Sequence, residues 1–384
     1  MSVVPSSPQA SAMKKKSVGD VPMSETEVRR SAGLDLRLLD AELLEDRAAW
    51  LELWDEWPDR EIMAHPDYAR LFARPQDRVL AVTARGAAGG ILYPIILRPL
   101  AEEPWGLEAF DTTTPYGYGG PFSWGMTPSE AEGFWSSFDE WARRQNIVTS
   151  FARLSLFPEK MLPWRGKVER SGSNIIRRLD LPEEEIWAEY AYKVRQNVQR
   201  ARRQGLRVEA DLSGARLDDF VRVYLATMKR CGAAPSYFFP RSFFESICTD
   251  LKGYYAFFHM MLGTKVIASE LVLLSKDYAY SFLGGSYEEA FELRGNEFLK
   301  HESFLWCRRS GKLGIILGGG YRGEDGILQF KRHFAPRGEV SFNLGLSVYD
   351  ASLSARLSER RQIYEQERHV DWSPRPGYFP PYRA

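Results

Sequence analysis

Apolar and polar positions alternate along this chain in blocks, and the order of the blocks repeats. Residues 41–57 carry apolar positions at helical spacing. The apolar runs 78–83 and 91–97 flank a Gly-rich turn at 86–90, which predicts two paired strands. A loop with Thr114-Pro115-Tyr116-Gly117-Tyr118-Gly119-Gly120-Pro121 follows, then a predicted helix at 128–144 and a strand from Ile147. The same series returns later. Segments 217–229 and 241–251 read as helices, and 254–262 and 266–274 flank Gly263-Thr264 as a hairpin. Strand 278–283 leads to Gly284-Gly285, and a helix at 296–309 and a strand at 313–317 complete the copy. From Gly119 to Trp141 is 22 positions, as from Gly284 to Trp306, which predicts a duplicated α/β unit with a cleft between the copies.

Between the copies, 182–205 reads as one polar helix. Pro182 stands at its start, Glu183, Glu184 and Glu185 in its first turn, and Gly205 ends it. Val194, Val198 and Ala201 would face inward, leaving Arg195, Gln199 and Arg202 together on another face, flanked by Lys193, Arg200 and Arg203. A solvated helix face has the same pattern. Residues 1–33 are polar, contain Pro5, Pro8 and Pro22, and read as a flexible tail. The expected boundaries are 34–178 for the first unit, 179–345 for the second and 346–384 for a C-terminal extension that packs back as strand or helix and then runs extended.

Composition narrows the classes. Of 384 residues, 44% are hydrophobic and 13% aromatic, enough for a large core. Lys plus Arg and Asp plus Glu both total 51, so attraction to a polyanion needs a local patch, and DNA is not expected as a partner. The three cysteines, Cys231, Cys248 and Cys307, form no CxxC pair, and the histidines have no ligand spacing. The expectation is a cytoplasmic monomer with no metal and no membrane span.

Several chemistries lack their residues. There is no HExxH, GxSxG or GxxxxGK[ST]. Gly318-Gly319-Gly320-Tyr321-Arg322-Gly323 matches GxGxxG, but Glu324-Asp325-Gly326-Ile327 does not open an evident apolar helix. Arg308-Arg309-Ser310-Gly311 is followed by Lys312 and Leu313, so the acetyltransferase pyrophosphate loop Q/RxxGxG/A is not met. His259 alternates with Phe257 and Met261 as a packed strand residue would. In 328–334, Phe330 and Phe334 would anchor a segment from which Lys331 projects beside the glycine loop.

Four segments together resemble the Fem-type transferases of the GNAT superfamily. They are the turn 114–122, the helix Tyr192-Lys193-Val194-Arg195-Gln196-Asn197-Val198-Gln199-Arg200-Ala201 running into Gly205, the strand and turn 278–287 before the Trp306 helix, and 318–334 with Phe330-Lys331. The resemblance implies an α/β (α+β) fold of two tandem GNAT-like domains, mixed sheets flanked by helices. It implies transfer of an aminoacyl group from aminoacyl-tRNA to a primary amine of a cell-wall precursor or specialised metabolite, with no cofactor. Acyl-CoA is the alternative donor, and a non-catalytic RNA-binding scaffold the third reading. The coiled-coil arm of some members is missing, and the Tyr116–Pro121 turn departs from the bridge-forming enzymes, which places peptidoglycan as acceptor in question.

An ester or thioester carries its own activation, so the amine needs positioning, loss of a proton and a stabilised oxyanion. With that resemblance, Lys331 is expected as a fixed ammonium at the reaction centre, aided by the backbone of Gly318, Gly319 and Gly320. Glu270 and Asp325 are candidate proton acceptors. Arg195, Arg202, Arg203 and Lys193 would hold a phosphate-rich substrate, and Tyr116, Tyr118, Gly119 and Gly284 would line the substrate site.

Overall fold

The computed structural model describes residues 34–320 and 325–384. The tail expected at 1–33 and the centre of the glycine segment, 321–324, lie outside the described residues. Contacts group the chain into two compact units. The first holds residues 34–58, Met63–Arg170 and Asn343–Ala384, and the second holds Asp59–Ile62 and Ser171–Phe342. The chain therefore divides at 170/171 and 342/343, where the sequence had suggested 178/179 and 345/346.

In chain order the first unit contributes β1 (Arg37–Asp40), α1 (Leu44–Glu56), α2 (Pro66–Arg70), β2 (Arg78–Arg85), β3 (Gly90–Pro99), β4 (Phe110–Thr113), β5 (Phe122–Trp124), α3 (Pro128–Arg144) and β6 (Ile147–Arg153). After β7 (Lys167–Arg178) come α4 (Glu183–Glu189), α5 (Tyr192–Arg203), β8 (Arg207–Asp211), α6 (Leu217–Arg230), α7 (Arg241–Asp250), β9 (Tyr255–Leu262), β10 (Lys265–Leu274) and β11 (Tyr278–Ser286). Then follow α8 (Glu288–Glu292), α9 (Gly295–Arg309), β12 (Gly314–Gly318), α10 (Gly326–Arg332), β13 (Glu339–Val348) and α11 (Ala351–Glu367).

Taken separately, the two units have the same strand order. In the first it is β1-β2-β3-β4-β6-β13, with β5 on β3, and in the second β8-β9-β10-β11-β12-β7. In each, one neighbouring pair is parallel, β4 with β6 and β11 with β12, and the others within the unit are antiparallel. The closing strands are exchanged in sequence. Residues 344–348 of β13 pair with β6, and residues 175–178 of β7 pair with β12. This exchange moves the boundaries, because a strand belongs to the sheet that satisfies its backbone groups.

Local signals account for the sharpest elements. Thr127 and Glu130 form a reciprocal capping box, Pro128 opens α3, and Phe134, Phe138, Trp141 and Ala142 bury its inner face against Tyr93 and Ile147. Gly263, at φ +61°, makes the two-residue turn between β9 and β10. The predicted single helix at 182–205 is broken. Tyr190 and Ala191 are extended, Tyr190 is buried, and Ala191 N–H donates to the His333 carbonyl at 2.8 Å. Beyond that break Val194, Val198 and Ala201 enter the core as predicted.

The C-terminal residues pack more closely than an extended tail would. Tyr382 is fully buried and shares a 2.7 Å hydrogen bond with Thr149. Arg383 donates to Asp111 at 2.5 Å and to Glu103 at 2.8 Å. Both partners belong to the first unit.

Candidate active site

The second unit's parallel strands part early. β11 pairs with β12 only through Tyr278–Tyr280 against Gly314–Ile316, yet β11 continues to Ser286 along β10. The β10 register skips Phe282, so a bulge lies where the strands separate. In the first unit a parallel bridge from Gly119 to Leu154 continues the equivalent pair beyond β4 and β6, and Ala152, Leu154, Met161 and Trp164 pack there as an apolar cluster. The polar chemistry at this position belongs to the second unit.

Three side chains meet beyond the separation. Ser281 Oγ donates to Glu270 Oε1 at 2.5 Å, and Lys300 Nζ donates to Ser281 Oγ at 2.5 Å and to Glu270 Oε1. Glu270 is buried on β10, and its Oε2 has no partner among the described residues. Lys300 comes from α9, so two strands and a helix fix the cluster. A carboxylate is tolerated at such depth because a cation and a hydroxyl satisfy it.

Lys331 lies on α10, anchored by buried Phe334 and by Phe330 against the core. Its Nζ donates to the Gly319 carbonyl at 2.6 Å. Burial first, and the charge of Lys300 second, lower its pKa to about 7 against the opposing pull of Asp325 and Glu270. Near neutrality both the ammonium expected from sequence and the free amine are populated. Gly318 turns the chain at φ +79°, and a Cβ on Gly319 would lie 2.6 Å from the Ser173 carbonyl oxygen. Gly320 ends the described part of that loop. Gly284 stands opposite Glu270, where a Cβ would approach the Ser269 carbonyl to 2.9 Å.

Asp325, whose charge acts on Lys331, also has a structural role. It caps α10, accepting from the N–H groups of Ile327 and Leu328 at 3.0 Å each. A helix here is hard to read from sequence because α10 is only seven residues long and opens on Gly326.

The cations of α5 point in different directions. Arg195 turns back to the carbonyls of Ala188 and Tyr190, closing the end of α4. Arg202 donates to Glu302 at 2.9 Å and lies 3.0 Å from His301 Nε2. Of the expected row, Arg195 and Gln199 line a hollow of about 460 Å³ with Arg200, Arg203, Trp187 and Tyr192, Arg202 is engaged with Glu302 instead, and Lys193 is exposed nearby in sequence.

Tyr116, Tyr118 and Gly119 belong to the first unit, and Lys331 to the second. Tyr68 donates to the Tyr116 carbonyl at 2.8 Å, and the Arg153 guanidinium lies 5.7 Å from the Tyr116 ring centre. Burial pushes both tyrosine hydroxyls to higher pKa. Gly119 donates to the Arg153 carbonyl at 2.6 Å. His259 is packed as predicted, fully buried with Ser269 Oγ at 2.9 Å.

Sequence reading missed Ser281 and Lys300, although both lie in elements it identified. The available signal was Glu270, a lone charge inside the apolar run 266–274, which requires a buried partner. Among the described residues no group of His, Cys, Asp and Glu is arranged to hold a metal. No described helix is long and apolar enough to cross a membrane.

Residues 188–332 match the family described as "Acetyltransferase (GNAT) domain". Among solved structures the chain is similar to FemX at 14% identity, with a TM-score of 0.59 over 84% of this chain and 98% of that one. It is also similar to the C-terminal domain of a putative lysylphosphatidylglycerol synthetase from Agrobacterium fabrum, at 16% identity and a TM-score of 0.50, over 83% and 97%. A conserved protein of unknown function from Bacteroides thetaiotaomicron shares 11% identity and a TM-score of 0.50, over 79% and 96%. No curated protein matches. The Fem-like GNAT fold expected from sequence is the fold observed, and the matched segment contains Glu270, Ser281, Lys300 and Lys331.

Proposed function

We propose that this protein is an N-acyltransferase that moves an aminoacyl group from aminoacyl-tRNA to a primary amine, forming an amide bond. The observation that carries the reading is Lys331 beside the Glu270–Ser281–Lys300 cluster, inside the segment that matches an acetyltransferase domain. A lysine partly neutral near pH 7 is suited to take the proton released when an amine attacks an ester. Lys300 supplies positive charge for the developing oxyanion. The hollow lined by Arg195, Arg200 and Arg203, with Trp187 and Tyr192, suits a donor carrying phosphates and stacking bases.

The likeness to FemX and to a putative lysylphosphatidylglycerol synthetase domain supports an aminoacyl donor. An acyl-CoA donor is the second reading, favoured by the acetyltransferase description of residues 188–332. The test is to incubate the protein with labelled aminoacyl-tRNA or acyl-CoA and a panel of amines, with and without RNase. Product that RNase abolishes supports the first reading. RNase-resistant transfer from acyl-CoA replaces it with the second, and RNA binding without transfer from either donor replaces both with a binding scaffold.

A further inference from the structure

We infer that Arg177 is a positioning residue for Lys331, acting through the C-terminal end of α10. The inference rests on the acyltransferase reading above and adds to it the residue that fixes where the proton-accepting amine stands.

The last four carbonyls of a helix have no partner within it, so a helix of seven residues depends on its surroundings for most of its length. Past Arg332, the last residue of α10, two groups from elsewhere meet that need. Ala191 N–H donates to the His333 carbonyl at 2.8 Å, and Arg177 Nη1 donates to the Phe334 carbonyl at 3.0 Å. Phe334 N–H in turn donates to the Lys331 carbonyl at 3.0 Å, so Arg177 grips the turn that Lys331 begins. A cation at a helix C-terminus also suits the dipole there.

Arg177 is itself held. It is 1% exposed, its Nε donates to the Arg178 carbonyl at 2.8 Å, and its Nη1 lies 2.5 Å from Glu189 Oε2 at the end of α4. An apolar side chain would fill this buried place on β7 at less cost in desolvation, but would leave the Phe334 carbonyl unheld. The same strand bears on the other anchor of Lys331. The Ser173 carbonyl of β7 leaves no room for a side chain on Gly319, whose carbonyl accepts from Lys331 Nζ, and Ile176 N–H donates to the Gly338 carbonyl at 2.8 Å. One strand therefore gauges both the loop that receives the amine and the helix that presents it. The charges of Lys300 on α9, Glu270 on β10 and Asp325 at the start of α10 act on that amine, so a shift of α10 changes its burial and its charged surroundings together.

The experiment reads Lys331 directly. The full chain is labelled with a limiting amount of acetic anhydride from neutral to alkaline pH and mapped by peptide mass, and transfer from aminoacyl-tRNA and from acyl-CoA is measured on the same samples. In the wild type, labelling of Lys331 should rise with a midpoint of about 7. In Arg177→Met that midpoint should move up toward the ordinary lysine value of 10.5, and kcat should fall by about 10²-fold with the donor KM unchanged. Arg177→Lys keeps a donor near the Phe334 carbonyl and should recover part of both. The double variant Arg177→Met/Glu189→Leu removes the ion pair whole, which guards against misfolding around an unpaired carboxylate, and should behave as Arg177→Met does. An unchanged midpoint and rate in Arg177→Met overturn the inference and leave the acyltransferase reading intact. So does recovery of the wild-type midpoint and rate in the double variant, because the loss would then belong to Glu189. Failure of the wild type to transfer from either donor overturns the acyltransferase reading, and the labelling midpoints still decide whether Arg177 fixes the position of Lys331.

Discussion

Lys331 Nζ donates to the carbonyl oxygen of Gly319 at 2.6 Å, so a helix and a glycine loop fix the position of one amine. That amine has a pKa of about 7, lowered by burial first and by Lys300 second. A proton-accepting role makes transfer rise through about pH 7 to a plateau. Lys331→Arg, which stays charged, should be inactive across the range. A pH–rate profile of both proteins checks this, and a rate that falls as Lys331 loses its proton would return it to an ammonium role.

The same group affects stability. Folded Lys331 titrates near 7 and an ordinary lysine near 10.5, so between these values the folded chain binds fewer protons than the unfolded chain. Its contribution to stability therefore rises with pH across that window. Urea midpoints at pH 7 and pH 10 should show that rise in the wild type and a smaller one in Lys331→Met.

Gly319 has no room for a side chain. A methyl group there would meet the Ser173 carbonyl oxygen at 2.6 Å, so Gly319→Ala must displace β7 or the loop holding Lys331. Overpacking of this kind costs about 1–3 kcal/mol. Thermal unfolding should register the loss, and transfer should fall more than stability does.

Much of this framework is legible in the sequence because it is local. The bounds of α3 follow from Pro128 and the capping box, and the β9–β10 hairpin from Gly263. Partner choice is not local. Nothing near Ile175 or Leu346 announces which sheet each of their strands closes. The break between α4 and α5 has neither Gly nor Pro, and depends on Ala191 bonding to His333 far along the chain. Ser281 and Lys300 matter only because β10, β11 and α9 bring them to Glu270, which spacing does not reveal.

The ion pair in the cluster makes a prediction of its own. Glu270→Leu leaves Lys300 without its carboxylate in a largely buried place, and removing one partner of such a pair costs about 3–5 kcal/mol. The double variant Glu270→Leu/Lys300→Met should recover part of that loss without recovering transfer. Urea denaturation and single-turnover rates measured on the same samples separate the two effects.

In the first unit, Tyr382 and Arg383 close the chain over Asp111, which is fully buried between Arg98 and Arg383. Tyr382→Ala removes a fully buried ring and its hydrogen bond to Thr149, with an expected cost of about 3–5 kcal/mol. Thermal unfolding of this variant checks it.

The most direct test of the account is single-turnover transfer at saturating donor, comparing the wild type with Lys331→Met. The account predicts a loss of about 10²-fold or more in rate, with donor binding and folding unchanged. An unchanged rate in Lys331→Met would contradict it.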